Sequence, residues 1–203
     1  MSDDPTPSGL RICVIGDDLV AGVGDPKSLG WTGRVAARTP HPPGGLAVFA
    51  LGVPSEGTLA LLERWQEETA RRFSPTTDNR MVISLGTADL DAGTSLARSR
   101  LNLANILDDA MSRSIGTFVV GPQPSQDATR NERIHELSAA FADVCDRRGV
   151  PFVDCYGPLA THDQWYGDLA SGDGKHPGQA GYGLVAWLVL HGGWHSWLGL
   201  QQT

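Results

Sequence analysis

Five short apolar runs alternate with longer stretches of mixed polarity, and this alternation constrains the fold more than any other feature of the chain. The runs are LRICVIG (10–16), LAVFALG (46–52), RMVISLG (80–86), TFVVGP (117–122) and VPFVDCY (150–156). Between them lie helix-like segments near 31–39, 58–73, 96–114 and 128–148, and a last one near 178–191. Within 128–148, Ile134, Leu137, Phe141, Val144 and Cys145 recur at helical spacing with charges between them. Strand then helix, repeated through the chain, predicts a parallel sheet covered on both faces in an α/β fold. The chain has 203 residues, 40% of them hydrophobic, enough for one compact domain with a sizeable core. Residues 1–9 are polar and are expected to form a disordered tail, with one domain over 10–203.

Several function classes are disfavoured by composition. The net charge is −7 and the 16 Lys and Arg residues are scattered, which argues against nucleic acid or an anionic membrane surface as partner. The most apolar stretch, YGLVAWLVLHGGW, is too short for a bilayer and is broken by glycines. The start, MSDDPTPSGL, lacks the apolar core of a signal peptide, so a cytoplasmic location is expected. Cys13, Cys145 and Cys155 sit in apolar or helical patterns and read as small buried hydrophobes. The six histidines show no metal-ligand spacing; neither metal nor cofactor is expected.

In a parallel sheet of this kind, ligands bind beyond the carboxyl ends of the strands. Polar residues gather there: Asp17 and Asp18 in GDDLVAG after the first strand, GVPSEGT after the second, GTADL after the third and GPQPSQD after the fourth. A late loop, DGKHPGQAGY (173–182), joins them. Five loops converging on one edge form the layout of an active site for a small molecule.

These stretches, in this order, resemble the SGNH (GDSL) hydrolase superfamily of esterases, lipases and acyl-thioesterases, from about residue 10 to 190. GDDLVAG resembles its first block, Gly-Asp-Ser-Leu; FALGVPSEGT its second, Asn-x-Gly-x-x-Gly; SLGTADL its third, Gly-x-Asn-Asp; and GDGKHPGQAGY its last. The resemblance implies a three-layer α/β/α, flavodoxin-like fold with a central five-stranded parallel sheet. It also implies that Asp173 and His176 stand at the orienting acid and the general base. The departures are specific. The nucleophilic serine falls on Asp18, the oxyanion-hole asparagine on Ala88, the hole's glycine on Ser55, and an Asn of the second block on Ala50.

Serine-type acyl transfer is therefore not expected. Losing the side-chain donor at Ala88 costs about 3–4 kcal/mol. A carboxylate ~4 Å from the forming oxyanion adds on the order of 4 kcal/mol of repulsion at an effective dielectric near 20. Together these amount to roughly five powers of ten in rate, before the missing hydroxyl is counted. Asp18 beside His176 could instead act in an acid–base dyad, or attack an sp3 carbon with His176 activating water afterwards. Neither route needs an acyl oxyanion hole. The substrate is expected to be small and uncharged, and the reaction epoxide opening, cyclisation, elimination or isomerisation. Two alternatives remain: a non-catalytic small-molecule-binding protein in which the Asp173–His176 pair only braces a loop, and a weak ester hydrolase using water activated by His176.

Around this centre, Ser55, Ala88, Asp17, Asp89 and Gly52 are expected to border the pocket. Asp17 reads as a loop hydrogen-bonder, Asp89 as a loop brace, and Ser55 as a position where the backbone N–H matters. Glu56 reads as a solvated loop acid. Trp31, Trp165, Trp187, Trp194 and Trp197 read as core or helix-docking aromatics, with Trp165 within reach of a ligand. The remaining histidines carry no motif.

Overall fold

The computed structural model describes residues 9–200. Its five strands are β1 (Leu10–Gly16), β2 (Leu46–Gly52), β3 (Asp78–Ser84), β4 (Gly116–Val120) and β5 (Phe152–Val153). All neighbours pair in parallel, in the order β2-β1-β3-β4-β5. This is the flavodoxin-like order, and its reversal lies between β1 and β3, so a crevice opens beyond their carboxyl ends. The helices are α1 (Asp18–Ala21), α2 (Gly30–Ala36), α3 (Thr58–Ala70), α4 (Ala88–Asp91), α5 (Leu96–Ser112), α6 (Ala128–Asp146), α7 (Tyr156–Leu159), α8 (Asp163–Ala170), α9 (Gln179–Val189) and α10 (His195–Leu198).

Period-two alternation along β1 divides the core in two. Ile12 and Val14 face a cluster with Trp31 and Val35 of α2, Trp165 of α8 and Val185 of α9. Cys13 and Ile15 face the opposite cluster, with Leu61 and Trp65 of α3, Leu103 and Ile106 of α5 and Phe141 of α6. Each of these fully buried aliphatic side chains contributes about 1.5–3 kcal/mol of hydrophobic stabilisation. Side-chain caps set the helix starts: Ser95 accepts from the Arg98 N–H at α5, and Asp127 from the Thr129 N–H at α6.

The three cysteines are free and buried, and burial pushes each thiol up to about 12, which leaves them inert as nucleophiles at neutral pH. Among the described residues no helix is long and apolar enough to cross a membrane. The tail expected over 1–9 lies outside the described residues except for Gly9, whose carbonyl accepts from the Asp78 N–H at 2.9 Å.

Three expectations are corrected by packing. The fifth strand holds two residues rather than the seven of VPFVDCY, because the chain turns at Asp154 and enters α7. Glu56 is 3% exposed and paired with Arg64, eight residues on in α3, so it is a buried ion pair and not a solvated acid. Trp187 is 57% exposed and stacks on His191 rather than docking its helix.

Candidate active site

The turn out of β1 sets the geometry. Gly16 has φ 152°, and a Cβ there would lie 1.7 Å from the Ser84 carbonyl oxygen, so only glycine lets β1 end against β3 in this way. Asp17 then caps α1. Its Oδ1 accepts from the Leu19 N–H at 3.0 Å and its Oδ2 from the Gly86 N–H at 2.8 Å, tying the first turn to the loop after β3. Burial pushes the Asp17 carboxyl up to about 6, against the pull of those two amides.

Asp18 is the first residue of α1 and is 8% exposed. Its Oδ2 accepts from the Ser55 N–H at 3.0 Å and lies 3.7 Å from the Lys175 ammonium. Its Oδ1 lies 3.9 Å from Nε2 of His176, beyond hydrogen-bond contact. Ser55 has φ 58°, the left-handed region that a non-glycine residue occupies at roughly 1–2 kcal/mol. That conformation is what turns its N–H toward Asp18.

His176 is set by its own turn. Asp173 Oδ1 accepts from the backbone N–H groups of His176 (2.7 Å) and Lys175 (2.8 Å), while its Oδ2 lies 2.6 Å from His176 Nδ1. The His176 backbone N–H, the ring contact and the Lys175 N–H together hold the Asp173 carboxyl well below the usual carboxylate range. An ionised carboxylate only accepts, so Nδ1 carries the proton. In the neutral ring Nε2 is then the base, and among the described residues it has no hydrogen-bond partner. The loop after α1 backs the imidazole closely: a Cβ on Gly24 (φ 89°) would sit 2.8 Å from His176 Cβ. Tyr182 of α9 fixes that loop by donating to the Val23 carbonyl at 2.7 Å.

A cavity of about 490 Å³ opens over these groups. Asp17, Asp18, Ser55, Ala88 and His176 line it. Asp173 stands behind His176. Gly52 and Asp89 do not reach the wall. A Cβ on Gly52 would meet the Asp17 carbonyl oxygen at 2.5 Å, so Gly52 packs β2 against α1. Asp89, 5% exposed, accepts from the Thr58 N–H at 2.9 Å and hydroxyl at 2.7 Å and braces the second loop to the third. Ala50 is exposed on β2.

The far wall carries Gln123 and Gln126 of the GPQPSQD loop and Trp165, all within stretches the sequence had pointed to, and Arg130, which it had not; the Trp165 indole N–H donates to the Pro124 carbonyl at 3.0 Å. Arg130 is committed to Asp91 and to the Thr87 hydroxyl. Lys175 was also missed, although its place inside the Asp173 turn, next to His176, was a usable signal. Among the described residues no group of three His, Cys, Asp or Glu side chains could hold a metal ion.

Known structures share this architecture. A lipase/acylhydrolase from Enterococcus faecalis superposes with a TM-score of 0.73 at 24% identity, covering 95% of this chain and 98% of that one. The acetylxylan esterase Axe2 from Geobacillus stearothermophilus gives 0.72 at 18% identity, covering 97% and 99%. The esterase EstA from a Pseudoalteromonas species gives 0.69 at 16% identity, covering 93% and 98%. At these identities the likeness concerns the fold. No curated protein matches the chain. The GDSL-like lipase/acylhydrolase family matches residues 14–184, a span that runs from β1 through the His176 loop into α9. With fold, strand order and sequence match in agreement, the chain belongs to the GDSL-like lipase/acylhydrolase family.

Proposed function

We propose that this protein is a hydrolase of non-serine type, in which Asp18 displaces a leaving group at an sp3 carbon of a small uncharged substrate such as an epoxide or an alkyl halide. The observation that carries the reading is the unequal state of the two Asp18 oxygens. Oδ2 is fixed on the Ser55 N–H, whereas Oδ1 is free and turned toward the unpartnered Nε2 of His176.

A free carboxylate oxygen is a competent nucleophile once its partner oxygen is held. Oδ1 attacks the carbon, and for an epoxide the ring C–O bond breaks, its electron pair passing to the leaving oxygen, which takes a proton from water or imidazolium. The product is an ester of Asp18. Water then attacks Cγ while Nε2 takes its proton, and Asp173 holds the resulting imidazolium. The tetrahedral centre places its negative charge on Oδ2, the oxygen on Ser55. Collapse breaks the Cγ–Oδ1 bond, and the released oxygen takes the proton back from His176. The new carboxyl group then gives up its remaining water proton, which replaces the one spent in ring opening, so epoxide and water give a diol and the carboxylate returns.

The same contact speaks against ester hydrolysis. The Ser55 N–H, the donor that the family resemblance assigns to the oxyanion hole, is already filled by Oδ2, and the Ala88 side chain offers none. The 3.9 Å gap also favours displacement over a direct proton-sharing dyad. A cavity of about 490 Å³ is of the size that encloses a small ligand.

Replacing the base should stop the reaction halfway. His176→Gln, incubated with styrene oxide and with a set of small epoxides and primary alkyl bromides, is expected to gain the mass of one epoxide, or of one bromide substrate less HBr, located on Asp18 by peptide mapping. A His176→Gln protein that stays unmodified on Asp18 across the set contradicts the proposal.

A further inference from the structure

We infer that Lys175 is a catalytic residue of this site: its ammonium stabilises the negative charge that forms on Asp18 Oδ2 while the covalent ester is hydrolysed. The inference rests on the displacement reading above and deepens it.

Charge in the hydrolytic step develops on one atom. As water adds to Cγ, the carbonyl electron pair moves onto Oδ2, and it returns when the Cγ–Oδ1 bond breaks. Groups that touch Oδ2 therefore decide the height of this barrier, and groups near Oδ1 decide the attack on substrate. Two donors approach Oδ2: the Ser55 N–H at 3.0 Å and the Lys175 ammonium at 3.7 Å. A single backbone amide is a sparse oxyanion site, and the Ala88 side chain, on the same cavity wall, has no polar atom to add. Lys175 supplies the second donor with a full positive charge.

Its placement is built in. The Lys175 backbone N–H is held by Asp173 Oδ1, the carboxylate that also orients His176, so base and ammonium are presented by one turn. The other cation on the wall, Arg130, is occupied by Asp91. The Lys175 side chain is 57% exposed at the cavity mouth, so it can follow Oδ2 as the carbon becomes tetrahedral.

The test separates the two steps. Wild type, Lys175→Met and Lys175→Arg are mixed with styrene oxide, and the ester on Asp18 is followed by rapid-quench intact mass. Lys175→Met is expected to form the ester at a rate within a few-fold of wild type but to hydrolyse it about 10- to 100-fold more slowly, so that it accumulates, and Lys175→Arg should recover most of the loss. Equal hydrolysis rates in wild type and Lys175→Met overturn the role of Lys175 and leave the displacement reading standing. Absence of any ester, even in His176→Gln, overturns both. A readout free of turnover uses Asp18→Ala, whose vacated position should accept formate between the Ser55 N–H and Lys175. Formate should raise its melting temperature, and adding Lys175→Met should remove that rise; an equal rise in both variants contradicts the inference.

Discussion

Asp17 and Asp18 are neighbours of one type, both buried at the end of the same strand, yet the fold puts them to opposite uses. Both oxygens of Asp17 are consumed by backbone amides, Leu19 on its own turn and Gly86 on the loop after β3. Asp18 spends one oxygen on Ser55 and leaves the other facing His176 across 3.9 Å. Asp17 is a fastener that joins two site loops. Asp18 is a group held at one end and free at the other. In the proposed mechanism the count of unsatisfied lone pairs, and not burial, sets the two acids apart, since they are 5% and 8% exposed.

The largest effect that would break this contrast concerns the old chemistry. Asp18→Ser frees the Ser55 N–H and restores a hydroxyl near His176, but one donor remains missing. Adding Ala88→Asn is expected to raise p-nitrophenyl acetate hydrolysis about 100- to 1000-fold over Asp18→Ser, in a His176-dependent way. Ala88→Asn alone should do nothing, so the two changes should be strongly non-additive. A parent protein that already hydrolyses this ester through His176, and loses rate on Asp18→Ser, would show that Asp18 serves ester hydrolysis directly.

A smaller effect sharpens the structural side. The folded-state carboxyl of Asp17 lies at about 6, above the ordinary 3.8. A raised acid contributes its full share of stability below pH 3.8 and loses it as pH rises through 6. A shift of roughly two units corresponds to about 3 kcal/mol for a group this buried. Asp17→Asn cannot titrate, so its stability relative to wild type should improve by up to about 3 kcal/mol between pH 4 and pH 7, read from urea midpoints. A pH-independent difference would mean that Asp17 is not held against its charge.

The fold was largely legible before the structure. β1 and β2 span the residues expected, and α3, α5, α6 and α9 fall within the expected segments, because long runs carry their periodicity with them. The short elements were not legible. α1, α4 and α7 have four residues each, too few for a helical repeat to show. In the site, Asp18, Ser55, Ala88, Asp173 and His176 came from ordered motifs, and the structure brings them to one sheet edge. What escaped is set by tertiary distance. Arg130 reaches Asp91 from 39 residues away, and Lys175 meets Asp18 only because the last loop folds back over the first. Glu56 failed for the same reason: nothing local says that Arg64 will lie over it. Gly52 and Asp89 belong to the motifs but support the pocket from beneath.

The central claim is that Asp18 Oδ1 becomes bonded to substrate carbon, and isotope transfer tests it most directly. Wild-type protein in excess is allowed one turnover, in water enriched in oxygen-18, of an epoxide that labels His176→Gln. Hydrolysis of an Asp18 ester sends the water oxygen into the carboxylate, so the peptide carrying Asp18 should gain one oxygen-18 and the diol should contain none. Label found in the diol, with the Asp18 peptide unchanged in mass, would mean that water attacks the substrate directly and would contradict the account.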